Sequence, residues 1–123
     1  MIIKEKIESF EDLNVWKESI SLSVDFYNYL KKCRDYGLRD QLQRSAVSIP
    51  SNIAEGYERD TNKEFIRFLY IAKGSSAELR TQLHIAIKVN IVEKKIGIQL
   101  INRTRKISSM LYNLIKTRSE KFE

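Results

Sequence analysis

The chain contains very few of the residues that form tight turns. It has one proline and four glycines in 123 residues, whereas a β-rich fold needs turn-forming residues about every 8 to 12 positions. Apolar residues recur at intervals of three or four through most of the sequence, which is the period of an amphipathic helix. The sequence therefore predicts an all-α protein.

Four periodic segments are separated by short polar stretches. Ser9 is a candidate N-cap of the first segment, and Thr61 and Glu64 have the spacing of a capping box before the third. Asn90 can take the left-handed conformation that ends a helix. The predicted helices cover approximately residues 10–33, 37–57, 62–89 and 93–118. Because short connections favour antiparallel neighbours, we expect one up-down-up-down four-helix-bundle domain over residues 1–123.

The first predicted helix has two apolar stripes, which is more than one bundle core buries. One stripe consists of Leu13, Trp16, Ile20, Val24 and Tyr27, and the other of Val15, Leu22, Phe26, Tyr29 and Cys33. The residues that we expect to stay at least partly available are Val15, Leu22, Phe26 and Tyr29. Exposed apolar surface of this extent marks an interface, so we expect a homo-oligomer.

The second periodic segment runs through SIPSNIAEG at residues 48–56. Its apolar spacing continues across Pro50 without a slip, which favours one helix that is kinked near Pro50. Because proline has no N–H, the carbonyl of Ala46 loses its helical partner, and nearby hydroxyl groups, or a water that they hold, are expected to compensate. Those hydroxyl groups belong to Ser45, Ser48 and Ser51. The alternative is a helix that restarts at Pro50, with Ile49 as a weak N-cap.

The third predicted helix contains the segment AKGSSAE at 72–78, in which five of the seven residues are small. Gly74 in a helix interior costs about 1 kcal/mol relative to alanine, so we expect close packing there against the serines of the second helix. Glu55 and Glu78 border the two small-residue segments, and we favour a structural polar network over a ligand site. The residues assigned to this motif are Ser48, Pro50, Asn52, Glu55, Gly56, Gly74, Ser75 and Glu78.

The net charge of +6 is concentrated near the C-terminus. Residues 1–92 have fourteen Lys and Arg against thirteen Asp and Glu, whereas residues 93–123 have eight against three. Such a segment indicates a polyanionic partner, of which nucleic acid is the usual one; the alternative is a solvated helix whose cations serve solubility. The candidate nucleic-acid contacts are Lys94, Lys95, Arg103, Arg105, Lys106, Lys116 and Arg118.

Residues with catalytic or metal-binding chemistry are scarce. His84 is the only histidine and lacks a Glu-x-x-His pattern, and Cys33, the only cysteine, lies on an apolar stripe. No phosphate-binding glycine pattern is present. We expect no catalytic residue, no metal site, no cofactor and no enzymatic activity. A single cysteine and the lack of a long apolar segment predict a cytoplasmic protein without a membrane partner.

Three segments of the chain carry a family resemblance: FEDLNVWKES (10–19), GLRDQLQRSAVSIPSNIAEGYER (37–59) and EFIRFLYIAKGSSAELRTQL (64–83). They are similar to signature segments of the four-helix-bundle family once called S23 ribosomal protein or 23S rRNA intervening-sequence protein. The family name reflects genes found inside intervening sequences of ribosomal RNA genes in some bacteria. The chain also resembles the accessory variability protein of diversity-generating retroelements, which implies a basic pentamer that binds nucleic acid and a reverse transcriptase. The resemblance implies no catalytic residue.

Two hypotheses of function follow from these patterns. The first is a non-enzymatic, oligomeric binding module whose basic residues contact RNA or DNA backbones. The alternative is a protein–protein interaction scaffold with no nucleic-acid role, whose basic surface serves solubility. A partner that survives nuclease treatment in a pull-down favours the second.

Overall fold

The computed structural model describes residues 6–121. A 3₁₀ turn at Phe10–Asp12 precedes four helices: α1 (Asn14–Tyr29), α2 (Tyr36–Tyr57), α3 (Asn62–Lys88) and α4 (Lys94–Lys121). Helix α1 packs against α2 and α4, and α3 packs against the same two helices. Contacts between neighbouring helices join early residues of one to late residues of the other, as in the bond between Asn62 at the start of α3 and Arg118 near the end of α4. The predicted all-α four-helix bundle is therefore confirmed.

The first helix is shorter than the predicted range of 10–33. Ser9 caps the 3₁₀ turn, because its hydroxyl accepts a backbone N–H and its own N–H donates to Asp12 (3.1 Å). Leu13 then takes an extended conformation (φ −71°, ψ 126°), which separates this turn from α1. At its other end α1 stops at Tyr29, so Cys33 lies beyond it.

At the two ends of α3 the structure has the Thr61 half of the predicted capping box and the predicted left-handed Asn90. Thr61 Oγ1 accepts the backbone N–H of Glu64 (3.1 Å), and Asn90 has a left-handed φ of 61°. The carboxylate of Glu64 binds Arg67 Nε (2.8 Å). This hydrogen bond lowers the pKa of Glu64.

The core buries the α1 stripe that was expected to remain available. The structure buries Val15, Leu22 and Phe26, and half-buries Tyr29. In the other stripe, Val24 and Tyr27 are 53% and 51% exposed. The predicted outward stripe is therefore wrong. Ser19 and Ser23 are also buried, so hydrogen-bonded serines take part in the packed face of α1, and apolar spacing does not report them.

Helix α2 continues through Pro50, so the alternative of a helix that restarts there is wrong. The carbonyl of Ala46 instead accepts a hydrogen bond from Ser23 Oγ of α1 (3.1 Å). The same hydroxyl also donates to the carbonyl of Ser19 in its own helix (2.9 Å), so its one proton is shared between the two carbonyls. A neighbouring helix therefore satisfies the group that proline leaves without a donor. The bend at Pro50 stays a prediction.

The serines of α2 do not supply this compensation. Ser45 donates to Glu78 (3.2 Å), Ser48 donates to the carbonyl of Ser45 (2.8 Å), and Ser51 is exposed. The prediction that they bond to the freed carbonyl is wrong, because the Ala46 carbonyl faces α1.

The close approach between helices occurs at Gly56 and not at Gly74. A Cβ on Gly56 would overlap Phe68 Cβ of α3, whereas a Cβ on Gly74 would meet no atom within 4 Å. Gly74 is exposed, so its predicted packing role is wrong. Gly56 is needed because α2 and α3 touch there with almost no space for a side chain.

Candidate functional site

The basic residues predicted on α4 fall into two groups. Arg105 has one polar contact, from its Nη1 to the side-chain oxygen of Asn102 (3.2 Å). The exposed group consists of Lys94, Lys95, Arg105 and Lys116. The half-buried or paired group consists of Arg103, Lys106 and Arg118.

Arg103 and Lys106 lie on the side of α4 that faces α1. Arg103 Nη1 is 2.6 Å from Asp25 Oδ2, and Lys106 Nζ is 3.1 Å from Glu18 Oε1. Partly exposed ion pairs of this kind contribute at most about 1 kcal/mol each to stability. Their larger effect is electrostatic, because the carboxylates of α1 neutralise this edge of the basic helix.

Arg118 joins the last turns of α4 to the start of α3. Its Nε donates to Asn62 Oδ1 (2.8 Å), and its guanidinium lies 5.0 Å from the centre of the Phe65 ring. A cation over an aromatic face is attracted by the ring. Arg118 therefore has a structural role in helix packing.

Helix α3 supplies cations that the sequence analysis assigned to no site. Lys73, Arg80 and Lys88 follow one another at intervals of seven and eight residues, which returns each to the same side of a helix. That side faces α4, since Arg80 Nε donates to Thr104 Oγ1 (3.2 Å). The spacing of about two turns could have predicted a basic side of α3. The charge count along the chain instead identified only the C-terminal segment, because the rest of the sequence is nearly neutral.

A cluster of hydroxyl groups holds Arg80 between α3 and α4. Arg80 Nη2 donates to Ser108 Oγ (2.9 Å), and Ser108 Oγ donates to Ser76 Oγ (2.9 Å). Ser76 Oγ in turn donates to the carbonyl of Thr104 (2.9 Å), and both residues are fully buried. Among residues 6–121 no carboxylate pairs with Arg80. Neutral hydroxyl groups therefore position a guanidinium whose positive charge is not compensated.

Two grooves lie along the junction of α3 and α4, on either side of Arg80. The first, of about 350 Å³, is lined by Lys73, Ser108, Ser109, Tyr112 and Asn113. The second, of about 250 Å³, is lined by His84, Ile87, Lys88, Lys94, Ile98 and Ile101. None of these lining residues is acidic. Arg105 and Lys116 each follow a groove-lining residue of α4, Ile101 and Tyr112, by four residues, which places them on the same side of the helix. We define the basic seam as the cations of the grooves and of these neighbouring positions: Lys73, Arg80, Lys88, Lys94, Arg105 and Lys116.

Glu78 makes the inter-helix contact that the sequence predicted. Its carboxylate accepts a hydrogen bond from Ser45 Oγ of α2 (3.2 Å). Within α2, Asn52 Nδ2 donates to the carbonyl of Ser48 (2.7 Å). These contacts are local and structural, and they lie on the α2 side of α3, away from the basic seam.

Glu55 and Ser75 do not make the predicted contacts between α2 and α3. The Glu55 side chain is 54% exposed and pairs with Arg59 one turn away (3.0 Å), so its assignment to a buried network is wrong. Ser75 is half-buried, and its neighbour Ser76 makes the helix contact, with α4. Of the small residues in this segment, Ser76 therefore packs toward α4 and not toward the serines of α2.

Candidate groups for catalysis or metal binding lie apart from one another. Within residues 6–121 no group of three His, Cys, Asp or Glu side chains could hold a metal ion. His84 is exposed beside aliphatic and lysine side chains. Cys33 is half-buried, and its Sγ lies 3.7 Å from the carbonyl oxygen of Asp35. No helix in the described part of the chain has the length and apolar character needed to cross a membrane.

Comparison with known proteins gives one family and one structural neighbour of interest. The family model described as 23S rRNA-intervening sequence protein matches residues 11–113. A crystal structure of a protein of unknown function from the S23 ribosomal protein family of Bacteroides thetaiotaomicron is similar, with a TM-score of 0.78 and 24% identity. The match covers 83% of this chain and 98% of that one. No curated protein matches.

Proposed function

The chain belongs to the 23S rRNA-intervening sequence protein family, and we propose that it is a non-enzymatic, oligomeric binding module that contacts RNA or DNA backbones. The observation that carries the proposal is the basic seam, where Lys73, Lys88 and Lys94 line two grooves without an acidic lining residue. The other three seam cations lie between these grooves or within about one turn of their lining residues. This assignment moves the proposed contacts from α4 alone to the junction of α3 and α4.

The dimensions of the basic seam suit a polyanion. Lys73 and Lys88 are fifteen residues apart on α3, which corresponds to about 22 Å along the helix axis. A nucleic-acid strand carries a phosphate about every 3.4 Å of duplex axis, so several phosphates fit within this length. Arg80 sits near the middle with its charge uncompensated, and an arginine is well suited to phosphate oxygens because of its planar donors.

Binding of this kind depends strongly on salt and weakly on sequence, because phosphate contacts release counterions. Six seam cations set an upper limit of about 5 on the slope of log K against log salt for B-DNA. We expect measurable affinity for mixed-sequence RNA or DNA at low salt. Undetectable binding to both would overturn the proposal.

The charge-reversal pair Lys88→Glu and Lys94→Glu tests the seam directly. We expect the double variant to lose at least about tenfold in affinity and to lower the salt slope by about 2. The matched control is Lys17→Glu with Lys31→Glu, which makes the same charge change on exposed residues of the first helical hairpin, outside the groove of Tyr27 and Val47. An equal loss in both variants would mean that overall charge, and not the seam, governs binding.

We also propose a homo-oligomer, with the pentamer suggested by the retroelement-protein resemblance. What supports assembly is an apolar patch on α1 and α2 that contains Val24, Tyr27 and Val47, all exposed. Tyr27 and Val47 line a common groove. Light scattering at micromolar concentration should give a multiple of 14.5 kDa, and a monomer mass would contradict this part of the proposal.

The apolar patch also supports the second candidate, a protein-interaction scaffold. Under that function the partner is another polypeptide, and the seam has no ligand. A pull-down from lysate after nuclease treatment separates the two candidates. A stoichiometric protein partner that is retained, together with no affinity for nucleic acid at low salt, would establish the scaffold in place of the nucleic-acid module.

A further inference from the structure

Two exposed tyrosines lie at one end of the basic seam. Tyr112 of α4 is 56% exposed and Tyr70 of α3 is 58% exposed. Neither is among the buried residues of the described core. Burial in the core therefore does not account for two large aromatic rings on this side of the protein.

Cationic and polar groups line the groove around the Tyr112 ring. Tyr112 lines the groove of about 350 Å³ together with Lys73, Ser109 and Asn113. Tyr70 lies three residues before Lys73 on α3, and Lys116 lies four residues after Tyr112 on α4, so each ring is one helical turn from a cation. We call Tyr70, Lys73, Tyr112 and Lys116 the tyrosine end of the seam.

The floor of this groove is held rigidly. Ser108 also lines it, and the Ser108 hydroxyl is already bonded to Ser76 and to Arg80. Ser76 is buried and fixed to α4. The groove is therefore preformed between two packed helices, and a ligand does not have to order it, which lowers the entropic cost of binding.

We propose that the tyrosine end of the seam binds single-stranded nucleic acid, with an unpaired base stacked on Tyr112 and the adjacent phosphate on Lys73. This inference rests on the proposed function and specifies its substrate class. Aromatic rings beside cations suit an unpaired strand, because every unpaired base offers a face for stacking and a backbone phosphate close to it. In a duplex those faces are stacked on each other and only phosphates and groove edges remain accessible. An acidic peptide would match the lysines but would leave the two rings without a stacking partner.

The test measures binding of labelled single-stranded and duplex oligonucleotides of equal length to Tyr112→Ala. We expect about a tenfold loss for the single strand and less than about a twofold change for the duplex. Tyr112→Phe keeps the ring and should bind like the wild type. The matched control is Tyr36→Ala, which removes a 59% exposed tyrosine at the start of α2, and should leave both affinities unchanged.

The possible failures are distinguishable. Wild-type affinity of Tyr112→Ala for the single strand, or equal losses for single strand and duplex, overturns the stacking inference while the proposed function stands. Failure of the wild type to bind either oligonucleotide at low salt overturns both. A third outcome would also overturn the inference. If a poly-glutamate peptide displaces the single strand from the wild type and from Tyr112→Ala at the same concentration, the groove is assigned to acidic peptides. Since Tyr112 is exposed, the variants should keep the wild-type unfolding midpoint, which confirms that any loss is a loss of contact.

Discussion

The two helical hairpins of the bundle differ in charge and in what they expose. The part of the sequence with α1 and α2, residues 1–61, has nine Lys and Arg against eleven Asp and Glu, a net charge of −2. The part with α3 and α4, residues 62–123, has thirteen against five, a net charge of +8. The overall charge of +6 therefore describes neither hairpin. Because α1 and α2 lie opposite α3 and α4 in the bundle, the molecule has one apolar, weakly acidic side and one basic side.

The hairpins also differ in how their helices are joined. In the first, one hydroxyl of Ser23 crosses from α1 to the carbonyl of Ala46. In the second, Ser76, Thr104 and Ser108 form a continuous hydroxyl cluster that positions Arg80. Polar contacts in the first hairpin repair a backbone defect, whereas those in the second hold a charge at the surface. The predictions below test this contrast.

The largest effect is expected where the hairpins meet. Gly56→Ala places a Cβ against Phe68 Cβ and should lower the free energy of unfolding by about 3 kcal/mol or more, because neither backbone can move away without disturbing the core. Gly74→Ala is the control, since space is open there, and should leave stability unchanged or raise it by up to about 1 kcal/mol. Denaturant unfolding measures both. Similar losses of unfolding free energy in the two variants would show that the close approach at Gly56 does not determine stability.

A smaller loss is expected from Ser23→Ala in the first hairpin. Removing the hydroxyl leaves the buried Ala46 carbonyl without a donor, which should cost about 1–3 kcal/mol. Ser51→Ala, an exposed serine on α2, should change stability by less than about 0.5 kcal/mol.

The same bond predicts a coupling between two positions. Pro50→Ala removes part of a buried ring and should itself cost about 1–3 kcal/mol, but it also returns a backbone N–H that can reach Ala46. In the Pro50→Ala variant, Ser23→Ala should therefore lower the free energy of unfolding by clearly less than it does in the wild type. Additive losses in the double-mutant cycle would contradict the assigned role of Ser23.

The charge difference between the two hairpins can be increased by replacing the acidic residues of α1 that pair with cations of α4. Glu18→Gln with Asp25→Asn releases Lys106 and Arg103, so affinity for mixed-sequence RNA should rise about threefold or more at low salt. Stability should fall by no more than about 1 kcal/mol, because both pairs are partly exposed. The control is Glu55→Gln with Glu58→Gln, which makes the same charge change on exposed residues at the end of α2. An equal gain from this control would show that the position of the charge is unimportant.

The smallest effect concerns the turn before α1. The backbone N–H groups of Glu8 and Ser9 donate to the Asp12 carboxylate (2.9 and 3.1 Å) and lower the pKa of Asp12 below its usual 3.8. A carboxyl group with a depressed folded-state pKa stabilises the fold above its unfolded pKa, and this stabilisation is lost as pH falls through the folded value. The difference in unfolding midpoint between wild type and Asp12→Asn should therefore shrink below pH about 4. A constant difference across that range would show that ionisation of the Asp12 carboxyl does not contribute to stability.

Local signals predicted the helices well. Thr61 and Asn90 marked the ends of α3 because capping depends on residues within one turn. The unbroken apolar spacing across Pro50 correctly predicted one helix, since a helix that restarted would have had no reason to keep its phase. The contact of Glu78 with a serine of α2 was also predicted, because charged residues beside small ones on facing helices find hydroxyl partners.

Features that depend on helix rotation were predicted poorly. Gly56 and Gly74 both interrupt helical patterns, and only the three-dimensional packing shows which of them faces Phe68. Likewise, the sequence could not reveal that Arg103 and Lys106 meet carboxylates about eighty residues earlier in the chain. Lys73 and Arg80 were missed because their common side of α3 becomes a site only when α4 lies beside it.

The bond from Ser23 to the Ala46 carbonyl makes the tolerance of one position depend on the residue at another. While Pro50 is present, loss of Ser23 leaves a buried carbonyl without a donor. Once Pro50 has been replaced, the backbone N–H of residue 50 can reach the Ala46 carbonyl, and loss of Ser23 should cost less stability. The two positions, twenty-seven residues apart, are therefore expected to be epistatic, so the effect of a substitution at one of them holds only for the residue present at the other.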